Sequence, residues 1–233
     1  GPLTLDEMIK IISLLENPPE ALNVRQALRF YTPPDLQCKW GDNDRLMKIL
    51  RHFAFRQDPW ELAQMKKLLE GKEALLEIGS GFGGTLTQLA SVMKHGSTIV
   101  SVDMPADSTP VYLNPLDSLK DACKKIGLLG ANVELFIGDS HAPGVIAAVE
   151  NYAPYDFVFI DGDHSYEGVK ADWDNYGRMG RVVGFHDIAG AVPGVREAWL
   201  EISNSGLYET REIINPADPL SFGIGIIFRE GAE

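Results

Sequence analysis

Cysteine is nearly absent from this chain. Only Cys38 and Cys123 occur in 233 residues, far apart and without Cys-x-x-Cys or Cys/His spacing, so neither a disulfide framework nor a cysteine-built zinc site is indicated. Basic residues are also scarce, with 21 Lys and Arg against 33 Asp and Glu for a formal net charge of -12. Nowhere do they cluster. A face that neutralises nucleic-acid phosphates needs clustered cations, and an anionic membrane repels a chain of this sign, so neither nucleic acid nor membrane is expected as a partner. No apolar run reaches the roughly 20 residues that a bilayer-spanning helix needs. No basic start with an apolar centre opens the sequence, and a cytoplasmic protein is the expectation. Internal repeats and low-complexity tracts are missing as well.

What is present is ordinary globular composition, 45% hydrophobic and 23% charged, in a chain long enough to bury a full core. The pattern divides near Gly71. Before it, apolar residues recur at helical spacing through Leu5, Met8, Ile9, Ile12 and Leu15, then Leu46, Ile49, Leu50 and Phe53, then Leu62, Met65, Leu68 and Leu69. Pro18-Pro19, Pro33-Pro34 and Asp58-Pro59 punctuate these helices, because proline resists a helix interior and suits a first turn. The reading is an N-terminal helical cap over 1–70, whose amphipathic pattern also allows a homodimer, and a second unit over 71–233. In that second unit β-rich runs at 74–78, 98–102, 133–137, 157–160 and 181–185 alternate with helical runs at 85–93, 116–126, 143–150, 166–178 and 195–203. Two further strands are expected at 208–214 and 222–228. The alternation predicts an α/β fold, a doubly wound, mostly parallel sheet covered by helices on both faces and closed by an antiparallel pair.

The stretch Glu77-Ile78-Gly79-Ser80-Gly81-Phe82-Gly83-Gly84 joins the first strand to the first helix of that unit. Glycines at 79, 81 and 83 allow positive φ and let a ligand lie against bare backbone. The glycine pattern by itself is weak, since dinucleotide-binding folds use a near-identical loop. Glu77 sharpens it. An acid at the strand's carboxyl end opposes a pyrophosphate and suits a cationic ligand such as S-adenosylmethionine, with its sulfonium and ammonium; the alternative is that Glu77 only braces the loop. In an open parallel sheet the ligand sits beyond the carboxyl ends of the strands. There the sequence places Asp103, then Gly138-Asp139-Ser140, then Asp161-Gly162-Asp163-His164, then His186-Asp187. Asp103 stands at the distance of a ribose-binding carboxylate, and Asp139 with Ser140 would face the adenine amine, unless both serve as an N-cap of the next helix. Phe82 and Met104 can pack on the adenine or line the cleft.

These residues resemble the class I S-adenosylmethionine-dependent methyltransferases, and among them the small-molecule O-methyltransferases of catechol and caffeoyl-coenzyme-A type. The resemblance runs through Glu77-x-Gly79-x-Gly81-x-Gly83, Ser101-Val102-Asp103, Gly138-Asp139-Ser140 and the run from Tyr155 to His164, over about the last two-thirds of the chain. It implies a Rossmann-like seven-stranded sheet with an antiparallel last strand, and a donor site made of Glu77, Gly79, Ser80, Gly81, Gly83, Asp103, Met104, Asp139, Ser140 and Asp161. In those relatives an Asp after strand four and an acid-amide pair after strand five hold a divalent cation. Asp161 falls on the first position, and His186-Asp187 replaces the pair. Asp161, His186 and Asp187 remain competent ligands for Mg²⁺ or a similar ion.

The relatives use a lysine base shortly after the strand-four Asp, and His164 occupies that neighbourhood. The expected activity is methyl transfer to a hydroxyl of a small molecule, a sugar or secondary metabolite, with His164 as base, His186 second to it, and Asp161 beside them. The alternative for His164 is a helix-start residue bonded to a carboxylate, and for Asp163 the N-cap of the helix near Tyr166. An NAD-type oxidoreductase and a non-catalytic cofactor-binding protein are the competing functions. Acceptor contacts are expected from the N-terminal helices, the segments 105–115 and 188–193, the latter able to close over the cleft, and the aromatics Tyr31, Trp40, Tyr112, Tyr166 and Trp173.

Overall fold

The computed structural model describes residues 57–104, 115–189, 192–217 and 221–229. The N-terminal helices expected before residue 57, the segment 105–114, and with them Tyr31, Trp40 and Tyr112, lie outside the described residues. The described elements are α1 (Pro59–Leu69), β1 (Ala74–Ile78), α2 (Gly84–Ala90), β2 (Thr98–Asp103), α3 (Pro115–Leu128), β3 (Asn132–Ile137), α4 (Pro143–Glu150), β4 (Tyr155–Ile160), α5 (Tyr166–Tyr176), β5 (Gly180–His186), α6 (Pro193–Ser203), β6 (Glu209–Ile213) and β7 (Ile224–Phe228). A 3₁₀ turn over Gly177–Met179 links α5 to β5. Among the described residues no helix is long and apolar enough to cross a membrane.

The seven strands form one sheet in the order β3-β2-β1-β4-β5-β7-β6. Every pairing from β3 to β5 is parallel, and β7 runs antiparallel to both β5 and β6. The expected architecture is therefore found. Central strands such as Tyr155–Ile160 are almost wholly apolar because both faces are covered. Side chains alternate between two buried clusters. Leu76, Ile78, Val158, Ile160, Val183 and Phe185 pack with Tyr176, Val195 and Trp199 under α4, α5 and α6. Leu75, Ile99, Phe157, Phe159 and Val182 pack on the opposite face under α2, α3 and α1, which supplies Leu62, Met65 and Leu69. The first helix thus shares a core with the sheet.

Some element ends differ from expectation for local reasons. The run at 85–93 ends earlier, at Ala90, where the chain turns and Gly71 N–H donates to the Val92 carbonyl. The N-cap of α5 is Ser165, whose Oγ accepts from Gly168 N–H at 3.0 Å, whereas Asp163 accepts from Ser165 N–H and shapes the turn before it. Neither Asp139 nor Ser140 caps α4; Ala142 precedes it and Pro143 starts it. Proline at a first turn needs no donor there, so the helix begins without a side-chain cap.

The start of α1 is fixed unusually firmly. Asp58 Oδ1 accepts from Trp60 and Glu61 N–H at 2.9 and 3.0 Å, and the same carboxylate takes the Asn215 amide. Glu61, fully buried, accepts from the Ser221 hydroxyl and from the Asn215 and Gly223 N–H groups. The helix is thereby tied to the connection between β6 and β7. Glu61→Ala is expected to cost about 3 kcal/mol, because the Ser221 hydroxyl and Gly223 N–H lose a buried, charged acceptor, while Glu61→Gln costs less. Urea unfolding reads this as a lower midpoint; an alanine variant within about 1 kcal/mol of the parent would remove the tie from the stabilising interactions.

Candidate active site

The carboxyl ends of β1, β2, β4 and β5 bring their acids together on one side of the sheet. Parallel register sets Glu77 beside Ser101 of β2 and Phe159 of β4, and the glycine loop leaves β1 at this point. Gly79 has φ +85°, and a Cβ there would stand 2.2 Å from the Asp161 carbonyl oxygen. Only glycine lets the β1 and β4 loops approach so closely. Gly83, at φ +81°, is the left-handed residue that starts α2, and a Cβ on it would meet Ala122 of α3 at 2.6 Å.

Glu77 is 1% exposed. Burial pushes its carboxyl up to about 8; the Ser80 hydroxyl works against that rise, and the nearby charges of Asp161 and Asp103 add to it. Ser80 in turn accepts from the Ser101 hydroxyl at 2.7 Å, and Glu77 Oε2 is buried without a hydrogen-bond partner. A carboxylate that costs this much to bury, with one oxygen open, is suited to a cation. Asp103 accepts from Gly81 N–H and so ties the tip of β2 to the glycine loop; burial raises its pKa, and that hydrogen bond opposes the rise. Met104 follows it with 60% exposure, and Phe82 in the loop is half-buried.

At the ends of β4 and β5 the polar groups are closer still. Asp161 Oδ1 lies 3.1 Å from His186 Nδ1 and 3.4 Å from His164 Nε2. Asp187 Oδ2 lies 3.4 Å from His186 Nδ1 and 3.5 Å from His164 Nε2. Burial by itself would lower the His186 pKa, but Asp161 and Asp187 outweigh it and hold the ring protonated, up to about 10. For Asp161 burial works upward, and the two histidines win, leaving it below the usual carboxylate range. The hydrogen bond to Asp161 is the largest influence on His164 and raises it. Asp187 has φ 65°, making it the one non-glycine residue with positive φ among the described residues. Its Oδ1 is buried and unpartnered. Strained backbone of this kind is held where the surroundings over-determine it.

One ligand atom each from Asp161, His164 and Asp187 lies within 4.8 Å of the other two. Oxygen and imidazole donors at that spacing, with an orphaned Asp187 oxygen beside them, fit a divalent cation. The expected ligand set differs in one member. His186 is almost fully buried and directs Nδ1 at both carboxylates as their ion-pair partner, leaving His164, 43% exposed, as the open imidazole.

The structure brings together Glu77, the glycine loop, Asp103, Asp161, His164, His186 and Asp187. Asp139 is exposed at the tip of β3, its Oδ1 accepting from His141 N–H, and Ser140 turns its hydroxyl inward onto Asp172. Tyr166 donates to Glu201, and Trp173 packs against Phe185 and Tyr208. Gln57 is a site residue that the sequence pattern did not reveal. It is 4% exposed, its Nε2 donates to Asp161 Oδ2 at 3.4 Å, and its Oε1 has no partner. The Asp58-Pro59 helix start beside it was legible; nothing in a single glutamine signals a contact 104 residues away.

Residues 76–188 match a family model described as a methyltransferase domain. No curated protein sequence matches the chain. Among solved structures it is similar to the O-methyltransferase from Bacillus cereus in complex with SAH, at 15% identity and a TM-score of 0.55, covering 97% of this chain and 92% of that one. It is also similar to the O-methyltransferase TomG from Streptomyces achromogenes, involved in tomaymycin synthesis and solved with SAM, at 19% identity and a TM-score of 0.54, covering 97% and 99%. At such identities the likeness is one of fold, and the fold is the Rossmann-like, class I methyltransferase sheet.

Glu77 gives this domain a pH dependence whose sign is fixed. In the folded chain it keeps its proton to about pH 8, against an ordinary glutamate value of 4.5 in the unfolded chain. Native protein therefore binds more protons between those limits. The stability associated with neutral Glu77 is complete below about 4.5, falls as pH rises, and is gone above about 8, a difference of a few kcal/mol. In Glu77→Gln that loss is removed, so its melting temperature should exceed the parent's by more at pH 8.5 than at pH 5. Calorimetry at the two values checks it; an equal offset at both would show that Glu77 is ionised throughout.

Proposed function

We propose that this chain is an S-adenosylmethionine-dependent methyltransferase that transfers methyl to a hydroxyl of a small molecule, with a divalent cation at Asp161 and Asp187 and the His164 ring left free beside them. The observation that carries the reading is Glu77: a buried carboxylate with an open oxygen at the mouth of a glycine loop. A pyrophosphate would add negative charge to this acid, whereas the sulfonium and ammonium of the methyl donor offset it. The methyltransferase-domain match and the SAH and SAM held by two fold neighbours point the same way. They also weigh against an NAD-type oxidoreductase.

In this reading the donor lies over Gly79, Ser80, Gly81 and Gly83, with its ribose at Asp103, its adenine near Met104 and Asp139, and its methionine end towards Glu77 and Asp161. The acceptor oxygen attacks the methyl carbon in line, the carbon-sulfur bond breaks with its electron pair left on sulfur, and the thioether product forms. The acceptor's proton goes to an imidazole. His164 is the better placed, since its ring is partly exposed and His186 is shut in. Both are raised by the carboxylates, so each becomes a base only when those carboxylates are otherwise neutralised. A divalent cation bound there supplies that neutralisation and acidifies a hydroxyl. Gln57 fixes Asp161 from behind through its amide.

Isothermal titration with S-adenosylhomocysteine and, separately, NAD tests the proposal. The thioether should bind and NAD should not; the reverse would overturn the reading. Asp103→Ala should weaken thioether binding by about tenfold. His164→Ala should leave it within about twofold, while lowering product formation from S-adenosylmethionine over a panel of phenolic and sugar hydroxyl acceptors. Unchanged product formation would take His164 out of the mechanism.

A further inference from the structure

Asp172 on α5 is a charged residue that the methyl-transfer chemistry does not use. It is fully buried. Its Oδ1 accepts from the Ser140 hydroxyl at 2.9 Å and lies 3.2 Å from His141 Nε2. Its Oδ2 has no hydrogen-bond partner and stands 3.4 Å from where a Cβ on Gly162 would be, a place that is itself 3.8 Å from Gly79 N. This carboxylate therefore sits beneath the meeting point of the loops that leave β1, β3 and β4. One turn further along α5, the Tyr176 hydroxyl donates to the Ser140 carbonyl.

These contacts dispose of the polar groups of residues 140 and 141 and leave one group facing out. Ser140 spends its hydroxyl and carbonyl inward, and His141 directs its ring at Asp172. Asp139 accepts from His141 N–H with one oxygen and keeps a side chain that is 58% exposed. The β3 tip is also joined to the β2 tip, because Gly138 N–H donates to the Asp103 carbonyl at 2.9 Å. Asp139 is thus presented beside the position proposed for the ribose.

We propose that Asp172 is a positioning residue for the adenine end of the methyl donor: through Ser140 and His141 it fixes the loop 138–141 with Asp139 turned outward, and it makes donor affinity depend on pH. The proposal rests on the donor assignment made above. Its physical basis is that an ionised carboxylate holds the Ser140 hydroxyl and attracts the His141 ring more strongly than a neutral carboxylic acid does. Burial pushes Asp172 up to about 6, with the Ser140 hydroxyl and His141 acting against the rise and the charge of Asp163 adding to it. The titratable groups facing it are His141 from the β3 loop, Asp163 from the β4 loop and Tyr176 on its own helix. Above about pH 6 the brace is intact. Below it, Asp172 gains a proton, its hold on Ser140 and His141 loses the assistance of charge, and the loop is fixed less firmly.

The test is titration of S-adenosylhomocysteine, and of adenosine by itself, into the parent and Asp172→Asn at pH 7.5 and 5.5. Asparagine keeps the shape and removes the charge. At pH 7.5 the variant should bind both ligands about tenfold more weakly; at pH 5.5, where the parent has lost the same charge, the gap should close to about twofold. Glu77 and Asp103 titrate in both proteins and cancel in the ratio. Equal affinity at pH 7.5, or a ratio that does not change with pH, would overturn the proposal; a merely structural role lowers the melting temperature without that pH-dependent ratio. If Asp172→Asn does not fold, His141→Gln serves in its place, since its ring is only partly covered: it must flatten the pH response, and an unaltered response overturns the proposal. Failure of the parent to bind either ligand would instead defeat the donor assignment on which the proposal stands.

Discussion

Asp161 holds its negative charge between the imidazoles of His186 and His164, and the surroundings of this carboxylate govern the rest of the site. Its backbone continues the sheet, donating from N–H to the Ile78 carbonyl at 2.8 Å, and its carbonyl presses on Gly79 closely enough to forbid any side chain there. The glycine loop and the start of the β4 loop are consequently packed as one unit. Moving either would break the parallel register of β1 on β4. Because Asp161 and Asp187 share His186 as a buried counter-ion, a cation entering this site would compete with a positive charge already held by the protein. Competition of that kind tunes affinity without changing the ligands.

The same economy of charge explains why so many acids tolerate one another at the strand tips. Each has a distinct compensation. Glu77 stays protonated under burial until something cationic arrives. Asp103 takes a backbone N–H from the glycine loop. Asp161 and Asp187 share imidazolium, and Asp172 relies on a hydroxyl and a ring nitrogen. None of these acids caps α2 or α4 through its side chain.

Much of this was legible in the sequence, and the legible part has a common cause. A strand buried on both faces must be apolar and must end where polar residues resume, so Leu75 to Ile78 and Phe157 to Ile160 announce both the sheet and the positions of Glu77 and Asp161. The antiparallel pairing of β6 with β7 follows from the lack of a helix between them, whereas the insertion of β7 between β5 and β6 is visible only in the structure. What stayed hidden are contacts between residues distant in sequence. Leu62, Met65 and Leu69 show by period that α1 has an apolar face, but period does not say that the sheet receives it. Gln57 and Asp172 are isolated polar residues with no motif, and His141 looks like part of a loop. Their roles come from burial, which a single sequence displays only through its apolar residues.

The choice between His164 and His186 shows how burial divides labour between like groups. Both rings touch Asp161 and Asp187, so position along the chain does not separate them. Accessibility does. His186 sits against Phe159 and Phe222, ring to ring, at 6.1 and 5.6 Å, and its Nε2 is buried without a partner; a proton leaving it has no acceptor path through solvent. Its effect is therefore electrostatic, a positive charge set between Asp161 and Asp187 in a dry setting. His164, at the mouth of the α5 turn, can exchange its proton with bulk water after each turnover. A base must be reset as well as placed, and this is why the proposed mechanism gives that part to the exposed ring.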